Sequence, residues 1–358
     1  MKRFFAVLLG AVVLCAGCSS SSGSEEAIAK YGSDTLKLYN WGEYMGENLI
    51  SDFEDEFGVN VIVEYFDSNE MMYTKLQAGD SYDVLVPSDY MIERLMNEGM
   101  LQKLDHSKLP NLKNLVPDLT QLDYDPGNEY SAPYFWGSVG IVYNQNTVPT
   151  DLIEEQGWEI LRNTDYAGDI YMYDSERDSF MVAFKALGYS MNTEDEAEIE
   201  EAYQWLRELN DTMEPAYVTD EVIDNMMNGN KSLAVVYSGD ATVILEENPD
   251  MRFYMPAEGT NIWSDAMVIP ANAENPALAH EFINYVLTYD ASYANSEYVG
   301  YASSNQEVLE DMSSEGGLYA DNEAYLPRMG YEKDEIFHDN QVLKEKLAEL
   351  WIKVKAEQ

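Results

Sequence analysis

The chain has 358 residues, of which 46% are hydrophobic and 12% aromatic, enough for one large or two ordinary folded domains. Its charge is extreme, because 66 acidic residues stand against 21 lysines and arginines and the formal net charge at pH 7 is −45. Such a chain repels nucleic acid and anionic substrates and attracts cations. Most of these carboxylates are expected to be solvated surface groups, so composition alone identifies no ligand.

The N-terminus has the pattern of an export signal. Two basic residues, Lys2 and Arg3, precede an apolar run at 4–14, which is too short to span a bilayer but typical of a signal-peptide core. Small residues before Cys18 and a Ser/Gly-rich stretch after it resemble a bacterial lipoprotein signal. An ordinary secretory signal is the alternative. We expect a signal peptide at 1–17, lipidation of Cys18 and a flexible tether up to residue 33. The protein would then be anchored to the outer face of the cytoplasmic membrane.

The first third of the mature chain alternates between strand and helix patterns. The segment TLKLYNW reads as a strand, and NLISDFEDEFG has apolar residues at helical spacing before a terminating Gly58. The same reasoning predicts further strands at 59–66 and 82–88 and further helices at 69–80 and 89–99. This order predicts parallel strands covered by helices.

The remaining chain repeats this style and adds two long crossings. Strands are predicted at 131–144, 168–174, 231–240 and 251–271, and helices at 179–188, 194–211, 276–288 and 340–357. Extended segments at 140–144 and 265–270 indicate two α/β lobes that are joined by two strands and separated by a cleft. The predicted boundaries are 34–142 plus 268–310 for lobe 1, and 143–267 plus 311–358 for lobe 2.

The sequence lacks the common catalytic motifs. Its three histidines have no metal-binding spacing, and it has neither a phosphate-binding loop nor a nucleophile elbow. A glycosidase with two catalytic carboxylates stays open as an alternative, because 66 acids make any chosen pair uninformative. We expect a protein that is not an enzyme and that uses no metal and no cofactor.

Aromatic and acidic residues recur where the predicted strands end. One such residue is usually the edge of a core or the cap of a helix, but several at one edge of the sheets indicate a binding site. Ammonium groups need carboxylates, while methylenes need apolar walls that aromatic rings supply together with cation–π attraction. The pattern therefore predicts an aliphatic polyammonium ligand. The residues are Trp41, Glu43, Tyr44, Ser88, Asp89, Tyr90, Asp174, Asp178, Tyr237, Asp240, Trp263, Asp265 and Tyr301.

Seven segments resemble one known family over about residues 35–350: LYNWGEY, SNEMMYTKL, YDVLVPSDY, EGMLQKLD, YSAPYFWGSVGI, WSDAMVIPANA and VGYASSN. The family is the spermidine/putrescine-binding component of polyamine ABC importers. The resemblance implies a type II periplasmic-binding-protein fold, with two lobes that close over the ligand and dock on a permease that works with an ATPase. We expect a monomer that binds polyamine and no nucleic acid.

The resemblance also assigns roles to residues. It implies aromatic walls from Trp41, Tyr44, Tyr90, Trp263 and Tyr301, ammonium binding by Asp178 and Asp265, and further contacts from Ser88, Thr219 and Tyr237. Secondary candidates are Glu43, Asp89, Ser175, Asp240 and His338. Ser175 lies where the family has an acid, and His338 lies near where it has a glutamine. These departures leave the choice between putrescine and spermidine open.

Three rivals to polyamine transport remain at this stage besides the glycosidase. A receptor for a quaternary amine would need an aromatic box with fewer acids. A receptor for an amino acid would need an arginine for the carboxylate, and Arg177 is the one arginine inside the candidate segments. A polyamine sensor that contacts another receptor would share the binding site but lack a permease.

Overall fold

The computed structural model describes residues 21–356, which contain ten strands and thirteen α-helices. The strands are β1 Thr35–Trp41, β2 Asn60–Phe66, β3 Val84–Leu85, β4 Ser131–Asn144, β5 Ile170–Tyr173, β6 Ala216–Val218, β7 Leu233–Tyr237, β8 Met251–Tyr254, β9 Ile262–Val268 and β10 Ala302–Ser303. The helices are α1 Ser21–Tyr31, α2 Leu49–Phe57, α3 Asn69–Ala78, α4 Asp89–Asn97, α5 Thr150–Gln156, α6 Glu176–Leu187, α7 Glu196–Met213, α8 Glu221–Met227, α9 Ser238–Glu247, α10 Pro276–Val286, α11 Tyr289–Val299, α12 Gln306–Ser313 and α13 Gln341–Ala356. Short 3-10 turns lie within 106–120 and 157–166.

Local sequence signals explain several of these boundaries. The Ser68 hydroxyl accepts a hydrogen bond from the Met71 N–H at 3.2 Å and so caps the start of α3. Gly58 ends α2 in the left-handed conformation, with φ of 63°, which glycine adopts without a steric penalty. The Ser175 hydroxyl caps α6 by accepting from the Asp178 N–H at 3.3 Å. This cap places Asp178 in the first turn of α6.

The first sheet is built around a parallel trio of strands. β1 lies between β2 and β3, and its register with β2 runs from Thr35 opposite Asn60 to Trp41 opposite Phe66. β9 is antiparallel to β3 and to the first half of β4. The three parallel strands therefore end at one edge of the sheet.

The second sheet continues from the other half of β4. Residues 139–143 of β4 pair with β7, and residues 141–144 pair with β8, both antiparallel. β7, β5 and β6 are parallel neighbours and also share one edge for their carboxyl ends. β4 thus connects the two sheets, and β9 crosses beside it.

The buried apolar side chains form two large groups. We call the residues at 27–135 and 266–291, which cover both faces of the first sheet, the first core. We call those at 139–263 and 324–354 the second core. A smaller group consists of buried residues at 116–136 and 302–325 together with Ile262. The exact limits of the two lobes stay a prediction.

The predicted flexible tether at 18–33 needs correction, because residues 21–31 form α1. This helix is attached to α10: Lys30 Nζ lies 3.2 Å from a Glu281 carboxylate oxygen, and the Tyr31 hydroxyl donates to the same carboxylate at 3.0 Å. Ala27 is buried against the first core. The signal peptide and Cys18 lie outside the described residues. Among residues 21–356, each helix is too short or too polar to cross a membrane.

Candidate functional site

The candidate site lies where the carboxyl ends of the parallel strands of the two sheets meet. Trp41 ends β1, Tyr173 ends β5 and Tyr237 ends β7. Side chains from the two cores are in contact here, since the guanidinium carbon of Arg177 in α6 lies 3.5 Å from the ring centroid of Tyr90 in α4. Ligands of open α/β sheets bind outside the carboxyl ends of strands, so this is where a ligand site is expected.

Asp265 is bound by residues of the first sheet and its core. It lies in β9, forms an isolated antiparallel bridge with Ser88, and accepts a hydrogen bond of 2.8 Å from the Tyr44 hydroxyl. Its residue exposure is 7%, and this burial raises the pKa of its carboxyl to about 6, while contacts with Ser88 and Tyr44 lower it. At neutral pH it is a buried anion whose direct partner is a neutral phenol.

Asp178 is bound by residues of the second core. The Tyr237 hydroxyl donates to it at 2.8 Å, and burial raises the pKa of its carboxyl. Contacts with Ser175 and Tyr237 and the positive charge of Arg177 oppose this rise. Asp178 therefore has a cation beside it within the chain.

Asp240 lies in the first turn of α9 and accepts two phenol hydrogen bonds. The Tyr173 hydroxyl donates to one oxygen at 2.5 Å and the Tyr301 hydroxyl to the other at 2.8 Å. Burial raises the pKa of Asp240 to about 6, and the nearby Asp220 raises it further, while the two phenols lower it. Each of the three carboxylates is thus held by tyrosine.

The rings of these tyrosines pack together around Trp263. The Tyr301 ring centroid lies 5.2 Å from that of Trp263 and 5.6 Å from that of Tyr44, and Tyr237 lies 6.1 Å from Trp263. Tyr173 packs on Tyr237 at 4.6 Å. We call this assembly the tyrosine–carboxylate cluster; its members are Tyr44, Tyr173, Asp178, Tyr237, Asp240, Trp263, Asp265 and Tyr301.

Comparison with known proteins identifies the family. The family described as bacterial extracellular solute-binding protein matches residues 48–325. The chain belongs to this family. Its fold is the predicted type II periplasmic-binding-protein fold, with two α/β lobes, a cleft between them and two connecting strands.

Named relatives match over most of their length. The spermidine/putrescine-binding periplasmic protein of Salmonella typhimurium is 36% identical over 317 residues, which are 88% of each chain. A structure of the spermidine/putrescine ABC transporter substrate-binding protein of Streptococcus pneumoniae is 35% identical, with a TM-score of 0.75, over 90% of this chain and 99% of that one. A lipoprotein of Treponema pallidum is 27% identical, with a TM-score of 0.77, over 90% and 99%.

Beside the cluster of this solute-binding protein lies the start of α4, at Ser88–Tyr90. Asn69 Nδ2 donates to the Ser88 hydroxyl at 3.1 Å and to the Tyr90 hydroxyl at 2.9 Å. Asp89 is 1% exposed and accepts from the Tyr90 N–H at 2.7 Å; burial raises the pKa of this carboxyl to about 8. Burial therefore favours the protonated form of Asp89, and its hydrogen bond with the Tyr90 N–H supports the start of α4.

Trp41 and Glu43 lie at the rim. The Trp41 indole N–H donates to the Val86 carbonyl at 2.9 Å, and the ring packs on Phe66 with centroids 4.5 Å apart. These contacts hold Trp41 against β2 and β3. Glu43 is exposed on the turn after β1, in a left-handed conformation with φ of 50°. Their predicted roles toward a ligand stay predictions.

Thr219 and His338 form their hydrogen bonds with residues outside the cluster. Thr219 is exposed, and both its N–H and its hydroxyl bind the Glu221 carboxylate at 3.1 and 3.0 Å. His338 lies 3.3 Å from a Glu93 oxygen, and its N–H donates to Asn192 at 3.0 Å. The structure therefore places His338 in a contact between α4 and the second core.

Sequence reasoning missed Tyr173 and Asn69. Side chains alternate between the two faces of a strand. At the end of β5 the acid that was selected, Asp174, is exposed and pairs with Lys355, while Tyr173 is buried in the cluster. The alternation could have pointed to Tyr173. Asn69 is hidden in the first turn of α3, and its proximity to Ser88 and Tyr90 depends on tertiary packing.

The described residues contain no group of three or more His, Cys, Asp or Glu side chains arranged to hold a metal ion.

Proposed function

We propose that this protein captures polyamines, putrescine or spermidine or both, outside the cytoplasm and delivers them to an ABC permease. One observation carries the proposal: two buried carboxylates, Asp178 and Asp265, and a half-buried one, Asp240, bind the hydroxyls of a packed group of phenol and indole rings. The names of the relatives from Salmonella typhimurium and Streptococcus pneumoniae support the same ligand class.

The chemistry of the cluster suits a flexible organic dication. A buried carboxylate becomes stable when an ammonium group donates hydrogen bonds and charge to it. The methylenes between two ammoniums gain about 0.8 kcal/mol for each buried CH₂, and a cation above an aromatic face gains about 0.5–2 kcal/mol. The phenols that bind the carboxylates can turn their hydroxyls toward the ligand, because a hydroxyl both donates and accepts.

The cluster also favours polyamine over the rival cations. A quaternary ammonium has no N–H, so it could not replace the phenol hydrogen bonds to Asp240 and Asp265. For an amino-acid ligand, Arg177 would have to bind the carboxylate, but it lies on the Tyr90 ring and next to Asp178. The relatives are named as binding and transport proteins, which supports a role without catalysis.

We further propose that the protein is a monomer held to the membrane by a lipid on Cys18, and that the permease works with an ATPase. The cysteine follows small residues in the pattern of a lipoprotein signal, and one relative is itself named a lipoprotein. Metabolic labelling with a fatty-acid analogue tests this step, since Cys18→Ala should abolish the label.

A ligand panel tests the binding function. Isothermal titration calorimetry of the purified mature protein with putrescine, cadaverine, spermidine, spermine, choline and amino acids should give heat for at least one polyamine. Choline and the amino acids should give none. Binding of choline or an amino acid without any polyamine binding would overturn the proposal. Release of sugar from a glycan panel would favour the glycosidase instead.

A further inference from the structure

The second half of helix α1 is attached to the first core. Ala27 is 2% exposed and packs in this core, and the Tyr31 ring lies partly buried against it. The Tyr31 hydroxyl and Lys30 Nζ both contact the Glu281 carboxylate in α10, at 3.0 and 3.2 Å. Lys30 Nζ also lies 5.9 Å from the centroid of the Phe57 ring in α2. Contacts with α2 and α10 therefore fix the position of α1.

The connection from α1 to β1 leaves little freedom between the two elements. Gly32 follows the helix in the left-handed conformation, with φ of 86°, and its N–H donates to the Ile28 carbonyl at 2.9 Å. The Ser33 hydroxyl then accepts a hydrogen bond of 3.0 Å from the N–H of Thr35, where β1 begins. Helix α1 is thus coupled to the amino end of β1, at the edge of the first sheet opposite to the candidate site.

The chain between the proposed lipid and α1 is short. Ser21, the first residue of α1, follows Cys18 by three residues, which span at most about 11 Å when they are extended. The 11 residues of α1 add a rigid length of about 16 Å. A flexible tether over 18–33 would instead have a root-mean-square length of about 22 Å and an extended limit of about 55 Å. Docking of α1 therefore limits how far the first core can move from the bilayer.

The surface of α1 does not by itself attract a membrane. Glu25 and Glu26 are exposed on the helix, and the formal net charge of the chain is −45, so anionic lipids repel it. Ile28 is 49% exposed, but one aliphatic side chain buries too little area to hold an acidic protein on lipid. The attachment must therefore come from the lipid, while α1 determines which part of the protein lies next to it.

We infer that α1 connects the lipid on Cys18 to the first core as a fixed spacer, so that the bilayer lies beside α1 and the first core is the half of the protein nearest to the membrane. This inference rests on the proposed lipid anchor. The second core, which is joined to the first through β4 and β9, is then the half farther from the bilayer.

Energy transfer to a labelled bilayer tests this arrangement. The chain has two cysteines, of which Cys15 lies in the predicted signal peptide and Cys18 carries the proposed lipid, so an introduced cysteine is a unique labelling site. A fluorescent donor is attached to Asp55→Cys in α2 or to Asp211→Cys in α7, because both residues are exposed. The lipidated protein is placed in phosphatidylcholine vesicles that carry a headgroup-labelled acceptor. Transfer from position 55, in the first core, should be at least about threefold more efficient than from position 211, in the second core.

Matched variants of α1 test whether the helix sets this distance. Ala27→Asp places a carboxylate against the first core and should release α1, so transfer from position 55 should fall by at least about twofold. Ala29→Asp adds the same charge at an exposed position of the same helix and should leave the transfer unchanged. A Gly/Ser spacer of about twenty residues, inserted directly after Cys18, should lower the transfer as Ala27→Asp does. The spacer gives an independent result if circular dichroism shows that Ala27→Asp does not fold.

The outcomes separate this inference from the proposed anchor. If the protein carries no lipid and does not stay with the vesicles, the proposed anchor fails and the inference fails with it. If the lipidated protein stays with the vesicles but positions 55 and 211 transfer equally, the inference alone is overturned. It is also overturned if the spacer leaves the transfer from position 55 unchanged, or if Ala27→Asp and Ala29→Asp have equal effects.

Discussion

Two sets of contacts join the first and second cores, and they differ in how their charges are satisfied. In the tyrosine–carboxylate cluster, Asp265 is buried and Asp240 is half-buried, and phenols donate hydrogen bonds to both. In a second set, which we call the outer clasp, charges and amides of α3 and α4 meet the segment 338–344. The outer clasp contains Glu70–Lys344, Glu93–Asp339, Glu93–His338 and Arg94–Gln341.

This difference predicts which contacts affect ligand selectivity. The outer clasp forms from the chain's own groups, so it joins the two cores whatever the ligand is. Under the proposed function, the anions of the cluster pair with the ligand's ammonium groups, so we expect the cluster to determine which ligand is bound. Variants in the cluster should change affinity strongly and selectively, while variants in the clasp should change it weakly and equally for all ligands.

The largest effect is expected for Asp265→Asn. Removing this charge leaves an ammonium without its carboxylate, so the affinity for every polyamine should fall by at least about a hundredfold. Calorimetry checks the affinity, and circular dichroism checks that the fold is retained. Asp174→Asn is the matched control, because Asp174 pairs with Lys355 and lies outside the cluster. Wild-type affinity in Asp265→Asn would refute the role of the cluster.

Lowering the pH should weaken putrescine binding while it stabilises the ligand-free protein. The pKa values of Asp240 and Asp265 are raised by burial to about 6, so both carboxyls become protonated between pH 7 and 5 and lose their attraction for ammonium. We expect putrescine affinity to fall by about tenfold or more over this range. Calorimetry at pH 7.5, 6.5 and 5.5 measures this fall.

The stability effect has the opposite sign. A carboxyl whose folded-state pKa lies above its unfolded value stabilises the fold fully below the unfolded pKa, and this contribution is lost as pH rises through about 6. The ligand-free wild type should therefore gain melting temperature on acidification relative to a variant carrying both Asp240→Asn and Asp265→Asn. Equal pH dependence in the two proteins would contradict the burial of these charges.

Lys344→Gln tests the outer clasp. Its side chain is 22% exposed, and that of its partner Glu70 is 37% exposed, so the ion pair contributes at most about 1 kcal/mol. Putrescine and spermidine affinities should both fall by about two- to fivefold, with their ratio unchanged. Lys353→Gln is the control, because Lys353 pairs with Glu349 within α13. A changed ratio in Lys344→Gln would place this lysine in ligand selection.

The regular elements of the fold could be predicted from local patterns. The strand pattern in TLKLYNW coincides with β1, and SAPYFWGSVGIVYN coincides with β4, because strand periodicity is local information. The contact between Asp265 and Tyr44 is long-range, because Asp265 lies in the middle of β9 and Tyr44 follows β1. Helix α1 was missed, and the contacts that attach it to Glu281 in α10 are distant in sequence, so local patterns do not indicate them.

Long-range contacts, within a core or between the two, could not be predicted from local patterns. Tyr173 binds Asp240 from a different element of the second core, and Arg177 meets Tyr90 across the cleft. Such pairs depend on how the sheets are joined by β4 and β9. Thr219 was chosen by resemblance alone, and its exposed position beside Glu221 is set by the turn before α8.

The smallest effect is expected for His338→Gln. The imidazole lies 3.3 Å from Glu93 in the outer clasp, and its side chain is 40% exposed, so its loss should weaken all polyamines by less than about threefold. A residue that contacts the ligand would instead change the ratio of putrescine to spermidine affinity. Glu93→Gln, which alters the same contact from the other side, should match His338→Gln in both affinities. A selective change in His338→Gln without one in Glu93→Gln would move His338 from the clasp into the ligand site.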